Sequence, residues 1–133
     1  MENKVKHLEF IQLTITRMNT NSFLIKGWLV TLVTGIFILS AKEANMKFLW
    51  FAPFATLLFW LLDAFFVTSE RQFRNLYNSV RLKAENEIDY SMDLSDFNSG
   101  ASSFFPSFLS VTLLLFYPAV LVASIVATTL IKN

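Results

Sequence analysis

The chain has 133 residues, of which 54% are hydrophobic and 16% aromatic, and its formal net charge is +1. A soluble helical bundle of this length has too little interior for so many apolar side chains, so the composition favours a protein in contact with lipid. The charge gives no reason to expect sequence-specific nucleic-acid binding, and the absence of cysteine excludes a disulfide framework and a thiolate metal site.

Residues 1–20 predict an amphipathic helix, because apolar side chains recur at helical spacing at Val5, Leu8, Ile11, Ile15 and Met18. The polar run 19–22 predicts a break, with Ser22 as the cap of the next helix. A cleaved signal peptide fits poorly, because the first long apolar stretch starts only after this helix and lacks a convincing cleavage site.

Three long apolar stretches follow, at residues 23–41, 48–67 and 104–131. Each is long enough to cross a bilayer core of roughly 30 Å at about 1.5 Å per residue, and helices satisfy their own backbone groups in lipid. We therefore expect an all-α integral membrane protein whose single membrane domain covers residues 1–133. The short connection 42–47 makes spans one and two an antiparallel hairpin.

The second span is expected to continue out of the membrane as an amphipathic helix to about residue 87, where Glu70 and Arg74 are spaced for an ion pair. Residues 88–103 are acidic and then rich in serine and glycine, which is typical of a linker or a docking strip. Carboxylates concentrate over residues 85–96. A solvated face is the plain interpretation, and calcium or a basic partner are the alternatives.

The distribution of lysine and arginine predicts the orientation. Basic residues concentrate in the N-terminal segment and in the link between spans two and three, while fewer lie in the hairpin turn and at the C-terminus. The positive-inside rule therefore places the N-terminus in the cytoplasm and the C-terminus outside the cell membrane.

Lys26 and Asp63 are the two charges within the first and second spans. Each lies about one turn from the same end of the hairpin, so we expect them at the same depth and paired, because an unpaired charge in lipid is costly. Two alternatives stay open. Asp63 would line a water-filled path in an assembly and favour cations, or the side chains would extend to the interface.

Rows of small residues spaced by four predict close helix packing, either between subunits or within one. The rows are Gly27, Thr31 and Gly35 in span one and Ala119, Ala123 and Ala127 in span three. Pro118 predicts a kink or hinge, because proline removes a helical hydrogen bond. A basic group after span two either sets topology or binds an anionic nucleotide or lipid headgroups. It comprises Arg71, Arg74, Arg81 and Lys83.

Features of catalysis are missing from the sequence. His7 is the single histidine, only three glycines occur, and no nucleophile and base can be paired. We expect no enzyme, no cofactor and no metal site.

Two segments, HLEFIQ...TRMNTNSFLIKGW and FWLLDAFF...SERQFRNLYNSVR, resemble the small SLATT-type membrane effectors of bacterial defence systems with nucleotide-signalling partners, including the membrane component of the Hailong system. The resemblance covers roughly residues 5–83. It implies a homo-oligomeric inner-membrane pore, held closed by a nucleotide or oligonucleotide signal or by a cytoplasmic partner protein. Phage infection would open it and depolarise the cell. The span at 104–131 departs from the two-span pattern, and the lack of a soluble sensor domain puts direct ligand sensing in doubt.

A competing hypothesis is a non-conducting membrane scaffold that docks a soluble partner through residues 85–96. A small transporter ranks below both, because three spans leave little interior in one subunit and no inverted repeat is visible.

Overall fold

The computed structural model describes residues 2–43 and 46–133, and within these ranges every regular element is helical. The α-helices are α1 (Glu2–Glu43), α2 (Phe51–Leu82), α3 (Phe104–Phe108) and α4 (Val111–Lys132). Short 3₁₀ helices lie at Met46–Trp50, Glu85–Glu87, Ser95–Phe97 and Gly100–Ser102. This confirms the all-α class, and three helical segments are long and apolar enough to cross a membrane.

The first difference from the sequence prediction is that α1 is one continuous helix of 42 residues. The predicted break at 19–22 is wrong, and so is the role of Ser22 as a cap. Asparagine, threonine and serine each cost a helix only about 0.5 kcal/mol relative to alanine, and the run contains neither glycine nor proline. Packing of one face of α1 along α2 outweighs that small cost. At about 1.5 Å per residue the helix is far longer than a bilayer core is thick, so it projects well beyond one.

The second helix ends at Leu82, five residues before the predicted end at 87. Lys83 is extended, and the exposed ammonium group of Lys4 donates hydrogen bonds to the carbonyl oxygens of Arg81, at 3.1 Å, and Lys83, at 2.7 Å. A cation that binds the last carbonyls is a favourable helix terminus, because these oxygens carry the negative end of the helix dipole. At its other end, α2 follows the 3₁₀ helix Met46–Trp50, so the predicted start at 48 falls in that turn.

The third apolar stretch is not one helix. It divides into α3 and α4 at Leu109 and Ser110, so the predicted span 104–131 begins at Val111 instead. The indole N–H of Trp60 donates to the Phe108 carbonyl oxygen at 3.0 Å, and the two rings stack with their centroids 4.4 Å apart. These contacts hold α3 against α2. The remaining 22 residues of α4 still suffice to cross a bilayer, and the helix continues on both sides of Pro118.

Two apolar clusters hold the helices together. One joins the three spans and contains Leu29, Ala64, Leu113 and Tyr117. The other lies where α1 begins and α2 ends, an end of the molecule that we call the polar end, and it contains Ile11, Ile15, Leu76, Val80 and Ile88. Because Leu94 and Phe97 pack on the second cluster, the segment after α2 is folded against the helices and is not a loose linker.

Candidate functional site

The carboxylate of Asp63 is fully buried, with 0% of its side chain exposed, and three donors surround it. The hydroxyl of Ser22 donates to its Oδ1. The ammonium of Lys26 lies 2.6 Å from Oδ2, and the phenol of Tyr117 donates to the same oxygen at 2.8 Å. Lys26 also donates to the Ser22 hydroxyl oxygen at 2.8 Å. One side chain from α2, one from α4 and two from α1 thus form a single network, which we call the charge network.

The sequence produces this network through simple helix geometry. Ser22 and Lys26 are four residues apart, so they lie on one face of α1 and reach the same partner on the antiparallel helix. Asp63 also accepts a hydrogen bond from α4, where the ring of Tyr117 packs in the apolar interior and its hydroxyl group reaches the carboxylate. A buried ion pair is favourable only when further hydrogen bonds satisfy the remaining polar groups, and the two hydroxyls do this here.

The structure brings Lys26 and Asp63 into the contact that the hairpin argument predicts. The ammonium of Lys26 is bound to Asp63 rather than extended to the interface, and 16% of its side chain is exposed. Asp63 faces the interior of its own subunit, so it does not line an open surface of a single chain. Sequence reasoning missed Tyr117 and misassigned Ser22. A tyrosine in the middle of an otherwise apolar span is a signal for such a partner, because a buried phenol requires a hydrogen bond.

A cavity of about 460 Å³ opens beside the charge network toward the polar end. We call it the basic cavity. Its lining includes Ser22, Lys26, Glu70, Arg71, Arg74 and Ser110, which come from α1, from α2 and from the residue that precedes α4. Arg74 donates to Glu70 Oε1 through Nε at 3.1 Å and through Nη2 at 2.8 Å, as their spacing predicts.

The predicted basic group therefore divides. Arg71 and Arg74 join Lys26 at the basic cavity. Arg81 and Lys83 lie beyond it at the end of α2, where their carbonyl oxygens accept hydrogen bonds from Lys4. Their side chains are exposed and do not line the cavity.

Most of each small-residue row faces away from the other helices of the chain, while Gly35 and Ala127 are partly buried. A methyl group added at Gly27 or Gly35 would meet no described atom within 4 Å. On α4, Ala119 and Ala123 are exposed, whereas Ser124 is buried against the neighbouring helices. Packing within the chain therefore does not account for the exposed members of the rows, Gly27, Thr31, Ala119 and Ala123.

A band of small and hydroxyl-bearing residues on α1 includes part of the first row, and the exposed apolar residues Leu13 and Ile38 lie on the same side of the helix. The residues Thr16, Thr20, Gly27, Thr31 and Thr34 are all exposed, and their spacings of four, seven, four and three return to the same side of a helix. We call this face the α1 outer stripe. Two of its hydroxyls donate to carbonyl oxygens one turn earlier on α1, at 3.1 Å for Thr16 and 3.0 Å for Thr31.

The acidic segment is ordered and turns its carboxylates outward. Asp89 accepts a hydrogen bond from the Ser91 amide at 3.1 Å, and Asp93 accepts bonds from the amide and the hydroxyl of Ser95. The amide bond and then the hydroxyl bond from Ser95 hold the pKa of Asp93 below its ordinary value. Among the described residues, no group of three histidine, aspartate or glutamate side chains is placed to hold a metal ion.

Comparison of the chain with known protein families, curated proteins and solved structures finds no match.

Proposed function

We propose that the chain is a subunit of a homo-oligomeric membrane pore whose opening depolarises the cell. The observation that carries this proposal is the α1 outer stripe. It places hydroxyl groups and a glycine on a membrane-spanning helix, on the side away from the subunit's own helices. Polar side chains in a span are expected to face a bundle interior or a water-filled path, so several copies would turn their stripes toward a common axis.

The charge network has a supporting part in this proposal. It fixes α1 against α2 and α4 through contacts from all three spans, so the side of α1 that faces outward is determined. A pore wall must hold its lining residues at a constant rotation and depth. In this proposal Asp63 keeps the wall in place and does not line the path itself.

Gating is proposed to come from the polar end, which the positive-inside rule places in the cytoplasm of a bacterium. Because α1 continues without interruption from Glu2 to Glu43, a force on its first turns is carried into the membrane. The resemblance described above supports a nucleotide or oligonucleotide signal, or a cytoplasmic partner protein, that holds the pore closed until phage infection.

The absence of cysteine makes a sharp test available, because each introduced thiol is the single thiol of the chain. Thr31→Cys and Thr34→Cys should react with a charged, water-soluble thiosulfonate reagent in a planar bilayer, and the reaction should change the current. Val122→Cys on the exposed face of α4 is the matched control and should leave the current unchanged. Absence of current, or an equal response at Val122, would refute the pore proposal.

A second candidate function is a scaffold that docks a basic partner. The exposed carboxylates of the ordered acidic segment favour it, because Ile88 is buried and fixes the segment while Asp89, Asp93 and Asp96 face solvent. A scaffold should retain a basic partner protein on affinity purification and lose it when these three aspartates are changed to asparagine. A pore without this docking function should tolerate the triple change with its conductance intact.

A further inference from the structure

The short helix α3 and the residues around it hold serine side chains inside and large apolar side chains outside. Ser102 and Ser107 are buried, with 5% and 0% of their surface exposed. Phe105 is 74% exposed and Leu109 is 50% exposed, and so is 74% of Val111, the first residue of α4. A contiguous exposed apolar patch marks a contact surface, because a segment that faces water places most such residues inside.

Three serine hydroxyl groups in and before α3 have partners within the chain. Ser107 donates to the Ser103 carbonyl oxygen at 3.0 Å, and Ser103 donates to a carbonyl oxygen three residues earlier at 2.7 Å. The Ser102 hydroxyl oxygen accepts a hydrogen bond from the side-chain amide of Asn75. No residue from 97 to 131 carries a charge. Hydroxyl groups bound inside the chain and an uncharged exterior both suit contact with hydrocarbon.

Contacts with the spans fix the depth of this region. Phe23, Val67 and Thr112 line the basic cavity together, so the first turn of α4 lies level with the ends of the first two apolar stretches. Helix α3 lies deeper, because the Phe108 carbonyl oxygen binds the indole of Trp60, seven residues before Val67 on α2. At about 1.5 Å per residue, Trp60 is roughly 10 Å inside the end of its stretch. Interfacial helices insert to a similar depth, at the boundary between headgroups and acyl chains.

From these observations we infer that α3 and the start of α4 form a lipid-binding surface, which inserts into the leaflet at the polar end without crossing the membrane. Phe105, Leu109 and Val111 contact the acyl chains, while Phe108 stacks on Trp60 and holds α3 against α2. The five residues of α3 are too few to cross a bilayer, so the crossing segment begins with α4. The surface requires one subunit only and does not depend on the pore proposal.

Acyl chains fit this surface better than a protein does. Membrane helices of neighbouring copies approach each other through small side chains, whereas Phe105 and Leu109 are large and project from the helix. A soluble partner would have to enter the leaflet to reach α3 at the depth that Trp60 sets. The lipid of the leaflet is therefore the proposed occupant.

The test uses single-cysteine variants of the full chain, which has no cysteine of its own. Each is labelled with a nitroxide and reconstituted in phosphatidylcholine vesicles that contain phosphatidylglycerol. Electron paramagnetic resonance compares two accessibilities of the label, one to oxygen, which concentrates among acyl chains, and one to a neutral nickel chelate, which stays in water. Phe105→Cys and Leu109→Cys should each give an oxygen-to-nickel ratio several times that of Met92→Cys. Met92 is the matched control, because it is an exposed apolar residue of the acidic segment.

Val122→Cys, in the middle of α4, is the reference for the bilayer interior, and the ratios at Phe105 and Leu109 should lie between those of Met92 and Val122. All four side chains are exposed, so the labels should leave the melting temperature unchanged. A ratio at either α3 position no higher than at Met92 would overturn the inference, because it would place that position in water. Protection from both oxygen and nickel would also overturn it, since a second copy or a partner would then cover α3. A ratio equal to that at Val122 would show that α3 lies in the bilayer interior and would contradict an interfacial position.

Discussion

Asp63 lies in an apolar stretch, and its surroundings explain how a membrane helix carries this charge. Removal of a carboxylate from water costs several kcal/mol even after the protein relaxes. Here one ammonium and two hydroxyl groups replace the lost water, and they come from two different helices. Asp63 therefore adds a polar contact between the three spans to the apolar cluster that joins them, and substitutions around it should lower stability.

Asp63→Asn leaves the ammonium of Lys26 in a largely buried place without its counter-charge. Breaking a buried pair from one side typically costs about 3 kcal/mol or more, so we expect a marked loss of thermal stability in detergent. The double change Lys26→Gln with Asp63→Asn removes both charges and should lose less than the single change. A single variant as stable as the native chain would contradict the proposed role of the network.

Tyr117→Phe removes one hydroxyl and leaves the ring, which stays between Phe116 and Trp60. Loss of a hydrogen bond to a buried carboxylate should cost about 1–2 kcal/mol. Thermal unfolding measures this loss, and Tyr77→Phe, outside the network, should be nearly neutral. A loss for Tyr77→Phe as large as that for Tyr117→Phe would argue against the hydrogen bond as the cause.

At this scale the sequence predicts the contact between Lys26 and Asp63, because two antiparallel spans with a short turn fix the depth of both residues. It does not predict Tyr117, because the long segment between α2 and α4 leaves the depth of α4 undetermined. The sequence predicts the wrong role for Ser22, because a serine beside asparagine is a common helix cap. The actual partner of Ser22 is Asp63, which lies 41 residues away in the chain.

Among the elements, α1 and the segment after α2 differ most from expectation. Local signals such as the polar run 19–22 predict boundaries well only when packing does not oppose them, and here α2 supports α1 along its length. The division between α3 and α4 has only weak local signals, since Leu109 and Ser110 are neither glycine nor proline, although Ser110 is a residue type preferred at helix starts and Pro106 lies close before it. Contacts of Phe108 with Trp60, distant in sequence, decide where α4 begins.

The turn at Asp93 gives a prediction for pH. Its carboxylate accepts bonds from Ser95, which lower its pKa below the ordinary value of 3.8. Because the pKa of Asp93 is lower in the folded chain than in the unfolded chain, the turn is fully formed above pH 3.8. The turn is lost as the pH falls through the lower pKa of the folded chain. The amide resonance of Ser95, followed by NMR, should therefore titrate with an apparent pKa below 3.8. Asp93→Asn should abolish this titration, and a midpoint at or above the ordinary value would contradict the turn.

Most apolar residues of the three candidate spans are not buried by the chain itself. In the most apolar 18-residue stretch of each span, at most 28% is buried. Lipid or other copies must cover the rest. The α1 outer stripe and the alanine row of α4 carry the small side chains that allow close helix approach. The sequence predicts the rows, and the structure adds that Gly27, Thr31, Ala119 and Ala123 are exposed.

Gly27→Leu tests assembly separately from folding. No described atom lies within 4 Å of the added Cβ, so the subunit should keep its stability, whereas the larger side chain should separate copies that pack through this face. We expect a loss of oligomer on size exclusion in detergent and on cross-linking, at unchanged melting temperature. Ile125→Phe on α4 adds bulk on a side away from both the stripe and the alanine row and should leave the oligomer intact. An intact oligomer in Gly27→Leu would remove this face from the interface.

The pore proposal is tested most directly by the membrane potential of bacteria that express the chain alone, reported by a voltage-sensitive dye with membrane insertion verified. Because a chain expressed alone lacks the signal that is proposed to hold the pore closed, we expect depolarisation by the native chain and none by Gly27→Leu at equal insertion. A maintained potential with the native chain fully inserted would contradict the proposal, and so would equal depolarisation by both.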